Sequence, residues 1–428
     1  MDDWIVEGGV MRRCVKFGVL GALCIAAVGF VAPAMAQSAG MGTLGTPSAD
    51  AGPYAPKGLP LGGFRLFPTL QLGVNYDDNI YRTDTNAKDS LYYLEQPGFT
   101  LQSQWGRHEL DLYGSVGAYQ YSSYSHENHT DWNVGGDGRL DVLRGIDLTG
   151  GGSYATLHEA RTSADQPFFA KTPTEYHLSQ ADAAFEYHPY HFGFTVGGTY
   201  AHYDYSATQL IGLPALDNAD RNRDEYTGYV KGSYEFSPGY AMYVQANERD
   251  VHYQLSLDRN GLHRDNHGYS VDTGLDMAVT HLIRGQVFVG YISEHYTAPL
   301  KGVSGFDFGA NLDWMPTEIW AFHLTASRTL NGTTIDNAST EDDQAVRLSA
   351  DFKVRPNITV TGDVGYTDSN YNGSPRHDKY TTAGVKLNYS LNRNISAQLG
   401  YDYQTRSSSI TGQNFNDNLV MVGLNLHL

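Results

Sequence analysis

The sequence predicts an all-β chain: a transmembrane, antiparallel up-and-down β-barrel of about 18 strands, with 16 as the alternative count. Three observations carry that prediction. From Phe64 to Leu428 apolar and polar residues alternate in strand-length runs. Short turns and long polar loops follow one another between the runs. An export signal stands in front of them.

The elements follow in chain order. Arg12, Arg13 and Lys16 precede an apolar run from Phe17 to about Val31, and Ala34-Met35-Ala36 ends before Gln37. A basic start, a short apolar middle and a small-x-small end make residues 1–36 a secretory signal peptide, with Met11 as its natural start. An anchored helix would need a longer run with fewer glycines and no Pro33. Both cysteines, Cys14 and Cys24, lie inside this segment, and Leu23 is too large for a lipoprotein signal. The exported chain then has no disulfide and must rely on backbone pairing and packing. Residues 37–63 are small, polar and dotted with proline, and read as a disordered periplasmic arm.

The barrel, residues 64–428, opens on LFPTLQLGVNYDDNIYR. Leu66, Pro68, Leu70, Leu72, Val74 and Tyr76 share one parity, and Thr69, Gln71, Gly73 and Asn75 the other. In a soluble sandwich the apolar face would meet a core; in a barrel it meets lipid and the polar face a wet lumen. Tight turns are centred near Gly106, Arg144, Pro189, Pro238, Ile283, Pro316, Pro356 and Asn392. Between them run polar loops such as Asp77–Ser90, His158–Pro173, Ala207–Arg223, Asn331–Asp342 and Ser369–Asp378. Eight short turns and nine long loops join eighteen strands. Short turns belong on the periplasmic side, and an even count returns both termini there. The last strand, NLVMVGLNLHL, alternates Val420, Val422, Leu424, Leu426 and Leu428 with polar or small residues. A sandwich explains the alternation but not the strand count, the signal and the loop asymmetry together.

Composition agrees. The chain has 31 tyrosines and 47 glycines, and a mean hydropathy of −0.40, too polar for a helical membrane protein. Tyrosine suits a membrane interface. Beyond the signal no stretch approaches the ~18 apolar residues of a spanning helix, so a membrane must be crossed by a closed sheet. The net charge of −18 argues against nucleic acid.

The stretch GGFRLFPTLQLGVNYDDNIYR resembles the first strand of the second putative β-barrel porin family, and YEFSPGYAMYVQANERDVHY is similar to that family's hairpins, with Ser-Pro at the periplasmic turn. The last strand resembles the terminal targeting strand of bacterial outer-membrane proteins, with Leu428 where Phe is usual. The resemblance covers about Pro60 to Leu428. It implies an outer-membrane barrel, often associated with exopolysaccharide synthesis and export, and no catalytic residues.

No enzyme and no cofactor is expected. Histidines sit beside carboxylates at His126-Glu127, His158-Glu159 and Glu294-His295, but none has zinc-protease spacing. Gly114-Ser115-Val116-Gly117 lacks the spacing of a nucleophile elbow. Asp77-Asp78-Asn79 and Glu341-Asp342-Asp343 are oxygen-rich but have no EF-hand spacing, and solvated loops are the simpler account, so no metal site is assigned. An arm of 27 residues is too short for a transporter plug.

The polar parity should line the lumen. There the sequence places Asp137, Asp141, Asp272, Asp276, Asp307, Asp351 and Asp363, with Arg139 and Lys386 among the bases. Over all strands fifteen acids oppose six bases, a net of −9 that would favour cations if the residues line an open path. Cross-strand pairing is the alternative use of those charges. The expected protein is a channel in the bacterial outer membrane, passing exopolysaccharide or other polar solutes. Its partners would be outer-membrane lipid and lipopolysaccharide, with polysaccharide cargo and periplasmic export proteins. A barrel closed by its loops, serving as a scaffold that docks envelope or surface partners, is the competing reading.

Overall fold

The computed structural model describes residues 54–278 and 282–428. The signal peptide, Met11 and residues 37–53 lie outside the described residues. A short strand β1 (Leu59–Leu61) precedes eighteen long ones. These are β2 (Phe64–Asp77), β3 (Ser90–Ser103), β4 (Glu109–Tyr121), β5 (His129–Leu143), β6 (Ile146–His158), β7 (Glu175–Tyr187), β8 (Phe192–Tyr205), β9 (Arg223–Ser237) and β10 (Tyr240–Tyr253). There follow β11 (Asn266–Ala278), β12 (Ile283–Tyr296), β13 (Val303–Thr317), β14 (Trp320–Gly332), β15 (Thr340–Arg355), β16 (Ile358–Tyr371), β17 (His377–Ser390), β18 (Ile395–Ser408) and β19 (Phe415–His427).

Each long strand pairs antiparallel with its neighbours in sequence, and β19 pairs with β2 from Leu419↔Asp77 to His427↔Thr69. That last pairing closes the ring. Strands of 13 to 16 residues, rising ~3.4 Å per residue and tilted by ~40°, are taller than the ~25 Å apolar band of an outer-membrane barrel. Their loop ends therefore project beyond the membrane.

Parity sorts the faces as alternation requires. Leu72, Val74 and Tyr76 are exposed on the outside, whereas Asn75 and Asp77 are buried within. Near the turn side Trp314, Phe322, Trp320 and Phe352 stack in series, with centroids 5.1, 5.6 and 4.5 Å apart. Stacked outward aromatics at this level form an interfacial girdle. Tight turns take glycine where the chain needs a left-handed residue: Gly145 at φ +77° and Gly239 at φ +79°.

Two features depart from the sequence reading. The arm is not featureless up to Gly63: β1 pairs with β2 through Leu59↔Leu66, Pro60↔Arg65 and Leu61↔Phe64, and Gly58 N–H donates to Leu428 O at 3.1 Å. The free backbone groups at the rim give it partners that composition cannot show. Ile283, read from the sequence as a turn centre, is the first residue of β12; residues 279–281 are outside the described residues.

Candidate functional site: the lumen and its mouth

Cross-strand register decides what each of the nine residues assigned to the inward parity meets. Toward the turn side, Arg139 binds Glu109 at 2.7 Å and approaches Asp147 at 3.6 Å, while Asp141 is held by Arg107 at 3.0 Å. Lys231 reaches Asp276 at 2.7 Å and lies over the Tyr243 ring. Asp351 accepts from Thr361 Oγ1 at 2.6 Å and faces His323 at 3.5 Å. Arg347 binds Asp363 at 3.0 Å, and Lys386 lies 3.6 Å from Asp402. Asp272 and Asp307 are buried at mid-wall: Asp272 accepts from Asn247 and Ser270, and Asp307 from the Phe308 N–H. Much of the acidic excess is thus engaged in pairs.

Asp137, like Asp272 and Asp307, has no ion-pair partner among the described residues. Register sets Asp111, Asp137, Gly151 and Asp182 side by side on β4–β7. A Cβ on Gly151 would lie 2.6 Å from Asp137 Oδ1 and 3.0 Å from Asp182 Oδ1, so the two carboxylates converge over the glycine. Among the described residues no Lys, Arg or His lies within ion-pair distance of these three aspartates. Three neighbouring carboxylates without a cation make this a negative patch.

The loop side is closed, mostly by side chains that alternation could not place. The loop 159–174 between β6 and β7 crosses the lumen. Its Thr162 carbonyl accepts from Arg406 Nη1 at 3.2 Å and Tyr380 Oη at 3.4 Å, on β18 and β17 across the ring. Its Asp165 Oδ1 accepts from Thr333 Oγ1 (3.0 Å), Thr334 N–H (2.9 Å) and Thr334 Oγ1 (3.0 Å) in the β14–β15 loop. The loop 254–265 holds the same tip: Asn260 donates to Thr334 O at 3.0 Å, and Arg264, paired to Asp258 at 2.8 Å, donates to Ile335 O at 3.2 Å.

Beneath the loops a buried ion network joins β9, β10 and β12. Glu225 takes Arg223 at 2.7 Å and Arg249 at 2.8 Å, and Arg249 also binds Glu294 at 2.7 Å. Arg221 binds Glu159 and stacks on Tyr205 at 4.0 Å; Arg223 stacks on Tyr203 at 4.1 Å. All of these groups except Glu294, with Asn331 to Thr334, line a cavity of about 50 Å³, room for a few waters. Such pairs add little net stability when intact, but deleting one partner strands a buried charge at a cost of ~3–5 kcal/mol. Of the network, Arg249 was one of the six bases counted on the inward parity. The others sit in or beside loops; Arg221, Arg223 and Glu225 fall in the charged run Ala219–Glu225, and Glu159 and Glu294 in the His-carboxylate neighbours His158-Glu159 and Glu294-His295.

Charge in the loops follows from these contacts. Burial pushes the Asp220 carboxyl up, but hydrogen bonds from Arg259, at 2.6 and 2.7 Å, overcome it and hold the group below the usual carboxylate range. Burial disfavours the Arg221 charge, yet Glu159 raises it above its ordinary value.

The acidic loop runs are spoken for. Asp77, Asp78 and Asp417 converge, but Arg82 Nη1 sits 3.0 Å from Asp77 and 2.9 Å from Asp417, and Asp78 accepts from Asn418 N–H and Nδ2. A guanidinium occupies the cation's place. Glu341 accepts from Tyr371 Oη and Asp342 from Arg328, so that run is divided between faces. Thr156 Oγ1 lies 3.0 Å from His177 Nδ1, and Glu175 is 3.8 Å from the far ring nitrogen.

A closed antiparallel ring with an apolar outer face and a charged inner one is an outer-membrane β-barrel of the porin type. The chain belongs to the putative beta-barrel porin 2 family, which matches residues 52–428. No curated protein matches the chain significantly. Among solved structures it is similar to OccK2 (OpdF) of Pseudomonas aeruginosa, with 11% identity over 86% of this chain and 99% of that one and a TM-score of 0.46. It is also similar to OpdK of the same organism (12%, 85% and 99%, TM-score 0.42) and to the siderophore receptor PirA of Acinetobacter baumannii (7%, 85% and 80%, TM-score 0.44).

Proposed function

We propose that this barrel is an outer-membrane channel for polar solutes, with a neutral or weakly charged exopolysaccharide as the cargo class. The observation that supports it best is the inner wall. Eighteen strands enclose a lumen wide enough for an aqueous path, its wall carries ion pairs and carboxylates, and what closes the mouth is a set of loops. Membership of a porin family favours conduction over catalysis. Asp111, Asp137 and Asp182 would repel a polyanionic polymer and attract cations. Lipopolysaccharide around the rim and periplasmic export proteins at the turn side are the partners this reading expects. Purified barrel in planar bilayers tests it. Discrete conductance steps, cation-selective in a KCl gradient and blocked by neutral oligosaccharides, are expected; anion selectivity would remove the cargo argument.

The ion-paired mouth gives the scaffold reading its own support. A barrel that stays silent in bilayers under every salt and voltage would favour a closed structural barrel docking envelope partners.

A further inference from the structure

One seam of the ring is incomplete. Strands β13 and β14 pair from Thr317↔Trp320 up to Gly309↔Ser327 and no further, although β13 continues to Val303 and β14 to Gly332. On the other side of each strand pairing continues: β12 follows β13 up to Glu294↔Val303, and β15 follows β14 up to Gly332↔Thr340. The two strands part, and upper β14 leaves the line of β13 with β15 still paired to it.

Packing shows where it goes. Leu330 has the outward parity of its strand, yet it is fully buried against Ile292 and Val303, which point inward from β12 and β13. The outer face of upper β14 therefore lies on the inner face of its neighbours. Arg328 confirms the displacement: it donates to Phe306 O at 2.7 Å, and a Cβ on Gly305 would stand 3.0 Å from its Nη1. Gly332 is pressed so close to β10 that a Cβ would lie 2.6 Å from Tyr253 Oη. The tip beyond it is the segment held by Asp165, Asn260 and Arg264.

The abandoned edge of β13 carries substitutes for a strand. Phe306 O has the Arg328 guanidinium, and Phe308 N–H has the carboxylate of Asp307 at 2.8 Å. A backbone edge facing a membrane needs such partners, and both are side chains that a returning strand could displace.

The geometry points to the β14–β15 hairpin as the gate of the channel proposed above, on which this inference rests. Its tip alternates between the lumen, where it completes the closed mouth, and the wall, where it pairs with Val303–Phe308 of β13 and leaves the lumen clear. Continuing the observed ladder sets Phe306 opposite Leu330, both facing outward. Eight residues above Trp320, Arg328 would stand roughly 21 Å higher at ~3.4 Å per residue and ~40° tilt. That is near the outer border of the ~25 Å apolar band, where an Arg328–Asp342 pair is tolerated.

Two cysteine pairs test the gate in a chain with no cysteine after Cys24. In the closed form Phe306 and Leu330 lie on opposite faces of the sheet, so Phe306→Cys with Leu330→Cys can bond only when the hairpin has returned to the wall. Asp165→Cys with Thr333→Cys should bond in the closed form. Heat-modifiable gel mobility checks that each variant is folded, and each reduced protein is its own control. Oxidising the first pair should give a severalfold rise in mean conductance, and oxidising the second a loss restored by reductant. If the first pair does not cross-link, or does so without raising conductance while the unmodified barrel conducts, the gate is wrong and the channel stands. If unmodified and cross-linked barrels are all silent, the channel reading fails and the gate with it.

Discussion

Asp165→Ala should shift the mouth toward its open form. One carboxylate oxygen of Asp165 accepts three hydrogen bonds from Thr333 and Thr334, and these are the direct link between loop 159–174 and the β14–β15 tip. A hydrogen bond to a charged acceptor contributes ~1.5–3 kcal/mol. Asp165 is half-exposed, the three bonds share one oxygen, and water replaces them when the clasp opens, so their sum falls well short of three such terms. About 2–3 kcal/mol is a reasonable total, and at 1.4 kcal/mol per decade that shifts the closed-to-open ratio ~30- to 150-fold. Single-channel records in planar bilayers read this as shortened closed dwell times. Asp165→Asn keeps an acceptor oxygen without its charge and should fall between. Thr334→Ala should add little to Asp165→Ala, because it removes the same contacts. Closed dwell times unchanged in Asp165→Ala would mean that the clasp holds nothing and that closure lies elsewhere.

Replacing Asp137 and Asp182 together by Asn should move reversal potentials in a KCl gradient toward zero, and the native preference should fade as salt shortens a screening length of ~10 Å at 0.1 M; unchanged selectivity would place the filter elsewhere. Val422→Arg puts a charge on an exposed lipid-facing site at a cost of ~2–4 kcal/mol, whereas Gly423→Ser points inward, where an added Cβ stays 3.5 Å from its nearest atom. The first should lower the urea midpoint of the folded barrel far more than the second, and equal losses would contradict the register. Asp220, held below the usual carboxylate range despite its burial by the hydrogen bonds of Arg259, stabilises the loops fully above that range and loses its effect as pH falls through it. Hydrogen exchange in residues 254–265, corrected for intrinsic rates, should therefore be faster at pH 3 than at pH 6; equal protection would show the clasp to be immaterial.

The extent to which the chain could be read in advance follows from what alternation encodes. A strand two residues in period declares its two faces, and the loop Asp77–Ser90 was bounded by the last residue of β2 and the first of β3 because polarity changes abruptly there. The strands and their two faces were legible for that reason. Pairing was not: Lys231 and Asp276 are 45 residues apart in sequence and meet only through the register of β9, β10 and β11. A count of fifteen acids against six bases therefore gives a sign but not a field.

The mouth was hidden for a deeper reason. Phe322, Leu324, Ala326, Arg328 and Leu330 keep one parity throughout, and nothing in that pattern says that the face meets lipid at Phe322 and the inner side of β12 and β13 at Leu330. Periodicity fixes which residues share a face; the partner of that face is set by tertiary geometry. The nearest sequence sign is Arg328 itself, a cation within an otherwise apolar outward row. A buried arginine needs a carboxylate and carbonyl oxygens around it; Asp342 on the paired strand β15 supplies the first, and Phe306 O is within reach because β14 has left the wall.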